Sequence, residues 1–307
     1  MNTKVEQKIV SPSAKAIYKA SHQELQRLEQ TMSFYKEESD VSLLNRYAGI
    51  KAITLSKETM AILQRAQDIA SQSNGAFNPL LAPLIQLWKS AGIKNQLPTC
   101  DEIKSTLARC KPKNLVLDHN HGTAYLKQKG SMVDLGGIGK GLAADVCCDL
   151  YQKMGVTSAF VNLGGNVKTI GQHPDQKPWT VGLQHPDKPR GHCYGAILCS
   201  DLSVVTSGGY ERYTEIDCIK YHHILDGRTG FPATSDLKSV TVLSESSMTA
   251  DALSTAAFVM GLEKGVDFIY NSDALGGIFF TTSNEVYLTK GVRSYVKLLE
   301  RLTCYEI

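Results

Sequence analysis

The stretch "TADALSTAAFVMG", residues 249–261, sets Asp251 and Thr255 four positions apart with Ser254 beside them. On a helix that spacing puts their oxygens on one face. A carboxylate, a hydroxyl and a nearby backbone carbonyl form a hard-oxygen set that suits Mg²⁺, which takes few protein ligands and keeps its other positions for water and phosphate. The same letters also describe an ordinary helix start. Asp near a first turn is favoured by the helix dipole, and a helical Thr hydroxyl bonds back to its own backbone.

A second group lies in "KYHHILDGRTG", residues 220–230. Strand alternation puts His223 and Leu225 on one face and His222 on the other. His titrates near neutrality, so His223 could take a proton from an attacking hydroxyl while Asp226 orients it or balances its charge. Packing or surface exposure explains a strand histidine equally well.

The third signal is the glycine turn in "VDLGGIGKGLAADV", residues 133–146. A nucleotide-triphosphatase loop needs Ser or Thr after its lysine and a glycine five residues before Gly139. Here Gly141 follows Lys140 and Asp134 stands at the other position. A dinucleotide fingerprint also fails, because Gly137, Gly139 and Gly141 close one residue early. What remains is an anion held by backbone N–H groups at a helix N-terminus, or a tight turn with no ligand. Gly164-Gly165 in "VNLGGNVKTIG" is either a hairpin turn or a place where a ligand approaches the backbone. Phe77 in "SNGAFNPLLAPLIQLW" covers a flat ring or belongs to the core.

The elements that must position these residues follow from periodicity. Apolar positions from Ala14 to Met32 recur at helical steps, Ser56 caps a helix that ends near Gly75, and a Pro-led helix runs from Pro79 to Trp88. Thr99 and Glu102 make a capping box. After residue 113 the period shifts toward two. "NLVLD" and "TAYLKQ" flank the turn "HNHG", and a helix follows Lys140. Strand-like runs then cover "SAFVNL", "NVKTIG", "WTVGLQ", "YGAILC" and "LSVVTS". A helix from Thr249 to Gly261, another around Val266–Tyr270, and the runs "LGGIFFTTS" and "EVYLTK" complete the chain. Hairpins interspersed with helices predict an α+β fold rather than a βαβ array: a helical N-terminal third, then mixed and antiparallel sheets packed with helices. No repeat or linker divides residues 1–307, so the expectation is a single domain, with two intimately packed lobes as a variant of it.

Composition narrows the function. A formal charge of +3 over 307 residues, without a polybasic run, argues against nucleic acid or anionic membrane as partners. The N-terminal residues show no apolar signal core, and no stretch reaches membrane-span length, which predicts no membrane insertion and a cytoplasmic location. Eight cysteines without a Cys-x-x-Cys pair read as free thiols in a reducing compartment.

Read in order, "MSFYKEESDVSLLN", "GAFNPLLAPLIQLW", "VDLGGIGKGLAAD", "VNLGGN", "VVTSGGYERY", "HHILDGRTG" and "TADALSTAAFVMG" resemble the ApbE family of FAD:protein FMN transferases over roughly residues 20–285. The resemblance implies Mg²⁺-dependent cleavage of the FAD pyrophosphate. FMN would pass to a Thr or Ser hydroxyl of an acceptor flavoprotein as a phosphoester, with release of AMP. By motif, Asp251, Thr255, the Gly137 carbonyl and neighbouring Ser254 would serve the metal. Met32, Ala76, Phe77, Asn78, Asp134, Lys140 and the neighbourhood of Leu225 would line the FAD site. His223 would be the base, with Asp226 in the same motif. The acceptor would be a cytoplasmic flavoprotein, such as a soluble fumarate-reductase-like enzyme. An FAD pyrophosphatase and a non-catalytic flavin carrier are the alternatives.

Four positions depart from the family pattern. Asn78 stands where Asp is usual, Asn166 where "GGD" is common, Gly209 where Asp or Asn often precedes Tyr, and Gly227 where Pro commonly follows Asp. Gly227 is expected to loosen the loop after Asp226. The family's usual first strand, ahead of the opening helix, is hard to find in this sequence.

Overall fold

The computed structural model describes residues 3–210 and 212–307. In chain order the first elements are β1 (Val5–Ile9), α1 (Ala14–Met32), α2 (Asp40–Arg46), β2 (Ile53–Thr54), α3 (Lys57–Gln72), α4 (Ala82–Lys94) and α5 (Cys100–Arg109). Then come β3 (Leu115–Asp118), β4 (Thr123–Leu126), α6 (Gly139–Lys153), β5 (Ala159–Leu163), β6 (Asn166–Ile170), β7 (Trp179–Gln184), β8 (Cys193–Cys199) and β9 (Ser203–Gly208). The last stretch holds β10 (Tyr213–Ile216), β11 (Ile219–His222), β12 (Leu237–Ser244), α7 (Ser247–Met260), α8 (Leu262–Tyr270), β13 (Gly276–Thr281), β14 (Val286–Leu288), β15 (Val296–Leu298) and β16 (Cys304–Glu306). The α+β expectation is met.

By contacts the chain forms two compact units. A sheet unit contains Met1–Arg27, Ile138–Gly208 and Ser235–Ile307, and a helical unit contains Leu28–Gly137 and Gly209–Thr234.

The sheet unit is built on eight strands in the order β1-β5-β6-β9-β12-β13-β14-β16. All neighbours are antiparallel except β14 and β16. Strands β12 and β13 are buried almost throughout, because both faces of the sheet are covered. On one face Leu243, Val204, Ile278 and Phe280 share a core with Leu183, Tyr194 and Ile197 of the second sheet, β15-β8-β7. On the other lie α6, α7 and α8. Helix α7 is apolar and small around most of its circumference, including Ala250, Ala252, Ala256 and Ala257, which fits a helix enclosed on all sides.

The helical unit packs α3, α4 and α5 with the small sheet β2-β4-β3 and the hairpin β10–β11. The Ser56 cap and the Thr99–Glu102 capping box form as the sequence predicts, and so does the β3–β4 hairpin through "HNHG".

Three expectations are corrected. A first strand does precede the opening helix: Val5–Ile9 pairs residue for residue with β5. Only Val5 and Ile9 are apolar in it, so its identity comes from its partner rather than from its own pattern. The Pro-led helix starts at Ala82 rather than Pro79, with Pro83 in its first turn. Leu80 N donates to the Asn78 side chain and so holds the preceding residues in a turn. Finally, β11 ends at His222, so His223 follows the strand rather than alternating along it.

Candidate active site

In the sheet unit, the Asp251 carboxylate is the focus of a buried polar group. Its side chain is 4% exposed. Lys140 Nζ donates to both oxygens, at 3.0 and 3.2 Å, and the Gly141 backbone N–H donates to Oδ2 at 3.0 Å. A buried carboxylate with an ammonium and an amide on it is satisfied, and removing the ammonium would leave its charge under-compensated. One turn further along α7, the Ser254 and Thr255 hydroxyls both donate to the Asp251 carbonyl, at 3.0 and 3.2 Å. Ser207 at the end of β9 reaches both hydroxyls, at 2.9 and 3.1 Å.

That geometry bears on metal binding. A hydroxyl that donates its proton to a carbonyl keeps its lone pairs for a cation. The Lys140 ammonium sits on both oxygens of the Asp251 carboxylate, so a cation bound there would share the carboxylate with Lys140 or displace it. One carboxylate with several hydroxyls is a hard-oxygen set that fits Mg²⁺, which keeps several waters. Among the described residues no group of three or more His, Cys, Asp and Glu forms a denser metal cage.

In the helical unit, Ala76, Phe77 and Asn78 are buried. Asn78 Nδ2 donates to the Cys110 carbonyl at 2.8 Å, and its Oδ1 accepts from Leu80 N at 2.9 Å. Asp134 N donates to the Pro79 carbonyl at 2.8 Å, which brings Asp134 alongside that stretch. The Asp134 carboxylate accepts from Gly136 N at 2.8 Å and so shapes the turn toward Gly137. Leu225 packs in a core with Leu84, Trp88 and Cys110. Gly227 meets Asn78: a Cβ added there would stand 3.1 Å from Asn78 Nδ2. Ala76–Asn78, Asp134 and Leu225–Gly227 therefore come together, and two of the four departures touch. Met32 is half-buried at the end of α1.

His223 is exposed. Its backbone N–H and its ring Nδ1 both point at the Arg212 carbonyl, at 3.1 and 3.0 Å. A carbonyl only accepts, so Nδ1 is the donor in this contact. His222 donates from Nε2 to the Ala233 carbonyl at 2.9 Å, and burial holds its pKa below the usual histidine value. Gly209, another departure, lets His222 approach: a Cβ there would stand 3.0 Å from the imidazole Cδ2. Asp226 is taken by Arg228, whose Nε and Nη2 each reach an oxygen at 2.8 Å. The pairing with His223 that the sequence suggested is replaced by this bidentate link, which the Arg at the second position of the turn makes locally.

Ser207, Asp145 and Arg228 lie within the glycine-rich and histidine-containing stretches around residues 204–213, 133–146 and 222–230, yet their types and spacing do not mark them as functional. Ser207 and Asp145 find their partners far along the chain, and no local spacing marks them. Arg228 was two residues from Asp226, a spacing that signals a side-chain turn.

Comparison with known proteins extends this picture. The sequence profile of the ApbE family matches residues 1–279. An FAD:protein FMN transferase of Klebsiella pneumoniae is 35% identical over 269 residues, covering 88% of this chain and 83% of its own. The crystal structure of the ApbE protein of Thermotoga maritima superposes with a TM-score of 0.87 at 30% identity, over 95% of this chain and 96% of that one. Flavin transferase ApbE from Vibrio cholerae does so with a TM-score of 0.84 at 27% identity, over 96% of both.

Proposed function

The chain belongs to the ApbE family, and we propose on that premise that it is an FAD:protein FMN transferase that moves FMN from FAD to a Thr or Ser hydroxyl of an acceptor flavoprotein. The observation that carries the reading is the buried Asp251 carboxylate with the Ser254 and Thr255 hydroxyls on the same face of α7.

The reaction balances as a phosphoryl transfer. The acceptor oxygen bonds to the FMN phosphorus, the pyrophosphate P–O bond breaks, and AMP leaves with the bridging oxygen. Mg²⁺ would neutralise charge on the non-bridging oxygens. Asp251, Ser254, Thr255 and the Gly137 carbonyl would hold it. Lys140 contributes positive charge beside Asp251. His223 Nε2 accepts the hydroxyl proton, since Nδ1–H is committed to the Arg212 carbonyl. Met32, Ala76, Phe77, Asn78, Asp134 and Leu225 would contact FAD, and Asp226 with Arg228 would fix the loop that follows His223. A cytoplasmic location and a soluble fumarate-reductase-like acceptor complete the reading. Among the described residues no helix is long and apolar enough to cross a membrane.

The test is to incubate the purified chain with FAD, Mg²⁺ and a candidate acceptor, following AMP release and acceptor mass together. The expected result is one FMN added per AMP. AMP without a mass gain across several acceptors would replace the transferase by a pyrophosphatase, and FAD binding with neither product would leave a carrier. Asp251→Ala should abolish metal-dependent turnover. His223→Ala should abolish transfer with FAD affinity retained, and transfer at the parental rate would remove His223 as the base.

A further inference from the structure

Asp145, one turn after Gly141 on α6, has a side chain only 18% exposed and no part in the chemistry above. Its two oxygens are fully committed. Oδ1 accepts from Ser247 N at 2.9 Å, and Oδ2 accepts from Met248 N at 2.9 Å and from Ser246 Oγ at 3.2 Å. Ser247 and Met248 are the first two residues of α7, whose amides have no partner within their own helix. A carboxylate at that end is also favoured by the helix dipole. Lys168 of β6 holds the same carboxylate at 2.6 Å, and Asn166, two residues earlier on β6, accepts from the Ser247 hydroxyl.

The links between α6 and α7 form two rungs. Gly141 and Asp145 are one turn apart on α6, and Ser247 and Asp251 are one turn apart on α7. Asp145 grips the Ser247 end, and Gly141 with Lys140 grips Asp251. The start of α7 is thereby tied to α6 and to the sheet. A slide or rotation of α7 would carry Asp251 away from the Gly141 amide.

We propose that Asp145 is a positioning residue for the Asp251 site: by fixing the first turn of α7 against α6 and β6 it sets the Asp251 carboxylate, and the hydroxyls one turn beyond, in metal-binding register. The inference rests on Asp251 being a metal ligand, as the function above has it. Asp145 touches neither substrate nor metal and acts through the helix.

The experiment measures Mg²⁺ binding to the full chain by calorimetry, with thermal unfolding alongside. In Asp145→Asn one acceptor becomes an amide that faces an N–H, and the charge opposite Lys168 is lost. The expected outcome is folded protein whose Mg²⁺ dissociation constant is about tenfold weaker, the scale seen when groups supporting a metal ligand are removed. Ile62→Val, a core change in the helical unit, should lower the unfolding temperature without moving that constant. Asp145→Asn with the parental constant would overturn the proposal, as would Ile62→Val weakening binding equally. If Asp145→Asn does not fold, Lys168→Met carries the test, because it loosens the same anchor with the Asp145 caps kept. Weaker binding supports the proposal, and an unchanged constant overturns it. Absence of Mg²⁺ binding by the parental chain would also end it. A parental chain that binds Mg²⁺ but releases no AMP from FAD would remove the transferase reading alone.

Discussion

Gly141 and Ser247 meet backbone to backbone: a Cβ on Gly141 would stand 2.2 Å from the Ser247 carbonyl oxygen and 2.5 Å from Met248 Cα. No side chain can swing aside to relieve such a clash, so α6 and α7 would have to part. Gly141→Ala is therefore expected to destabilise the protein by at least the ~1–3 kcal/mol typical of overpacking. Urea unfolding measures this, and an unchanged midpoint would refute the close approach.

Asn78 and Gly227 form a second close pair, with a prediction of its own. Asp at 78 cannot donate to the Cys110 carbonyl and would place a buried charge there instead. Asn78→Asp should cost about 2–4 kcal/mol, from the lost donor and the unpaired charge. Gly227→Ala should cost less, since its nearest neighbour is the flexible Leu81 Cδ2 at 2.9 Å. Because that Cβ also meets Asn78, its cost should shrink in an Asn78→Ala background. A double-mutant cycle by denaturant titration reads the coupling, and strict additivity would mean the two residues do not constrain each other.

Burial lowers the His222 pKa from 6.5, so the folded state resists taking a proton that the unfolded chain accepts. Below about pH 6.5 the unfolded state then binds more protons. This contribution to stability is complete above that pH and is lost as pH falls toward the folded value. His222→Gln should flatten the loss of stability between about pH 7 and 5, relative to the parental chain. Parallel unfolding curves at each pH test this, and identical slopes for the two proteins would count against it.

The cysteines should divide by exposure. Burial pushes the Cys147 and Cys148 thiols up to about 12, and Cys110 and Cys199 to about 11. Thiolate is the reactive form, so these four should stay silent toward a thiol reagent at pH 8 until the protein unfolds. Cys100 and Cys218 are exposed and should react first. Mass mapping of labelled sites distinguishes the two classes, and early labelling of Cys147 would contradict the packing described.

What the sequence made legible was local. The Thr99–Glu102 box, the "HNHG" hairpin and the shared face of Asp251 and Thr255 all rest on spacings of a few residues. What it hid depends on distant partners. Strand β1 becomes a strand only against β5, and Ser207 gains a role only from hydroxyls 47 and 48 residues later. The β10–β11 hairpin escaped for another reason. Its turn uses Asp217 and Cys218, both in the left-handed region at φ 48° and 62°, without the Asn-Gly signature that marks such turns.

The sheet order constrains how the molecule is made. Strand β9 lies between β6 and β12, and β12 belongs to the segment that begins at Ser235. During synthesis, β9 keeps an open edge until β12 emerges. Lys140 and Asp145 wait longer still, for partners 111 and up to 103 residues downstream. A nascent chain that stops short of α7 thus carries an ammonium and a carboxylate with their α7 partners missing, facing a helix that does not yet exist. Assembly of the Asp251 site therefore waits until α7 has been synthesised, and a chain interrupted before it lacks the carboxylate on which the site is built.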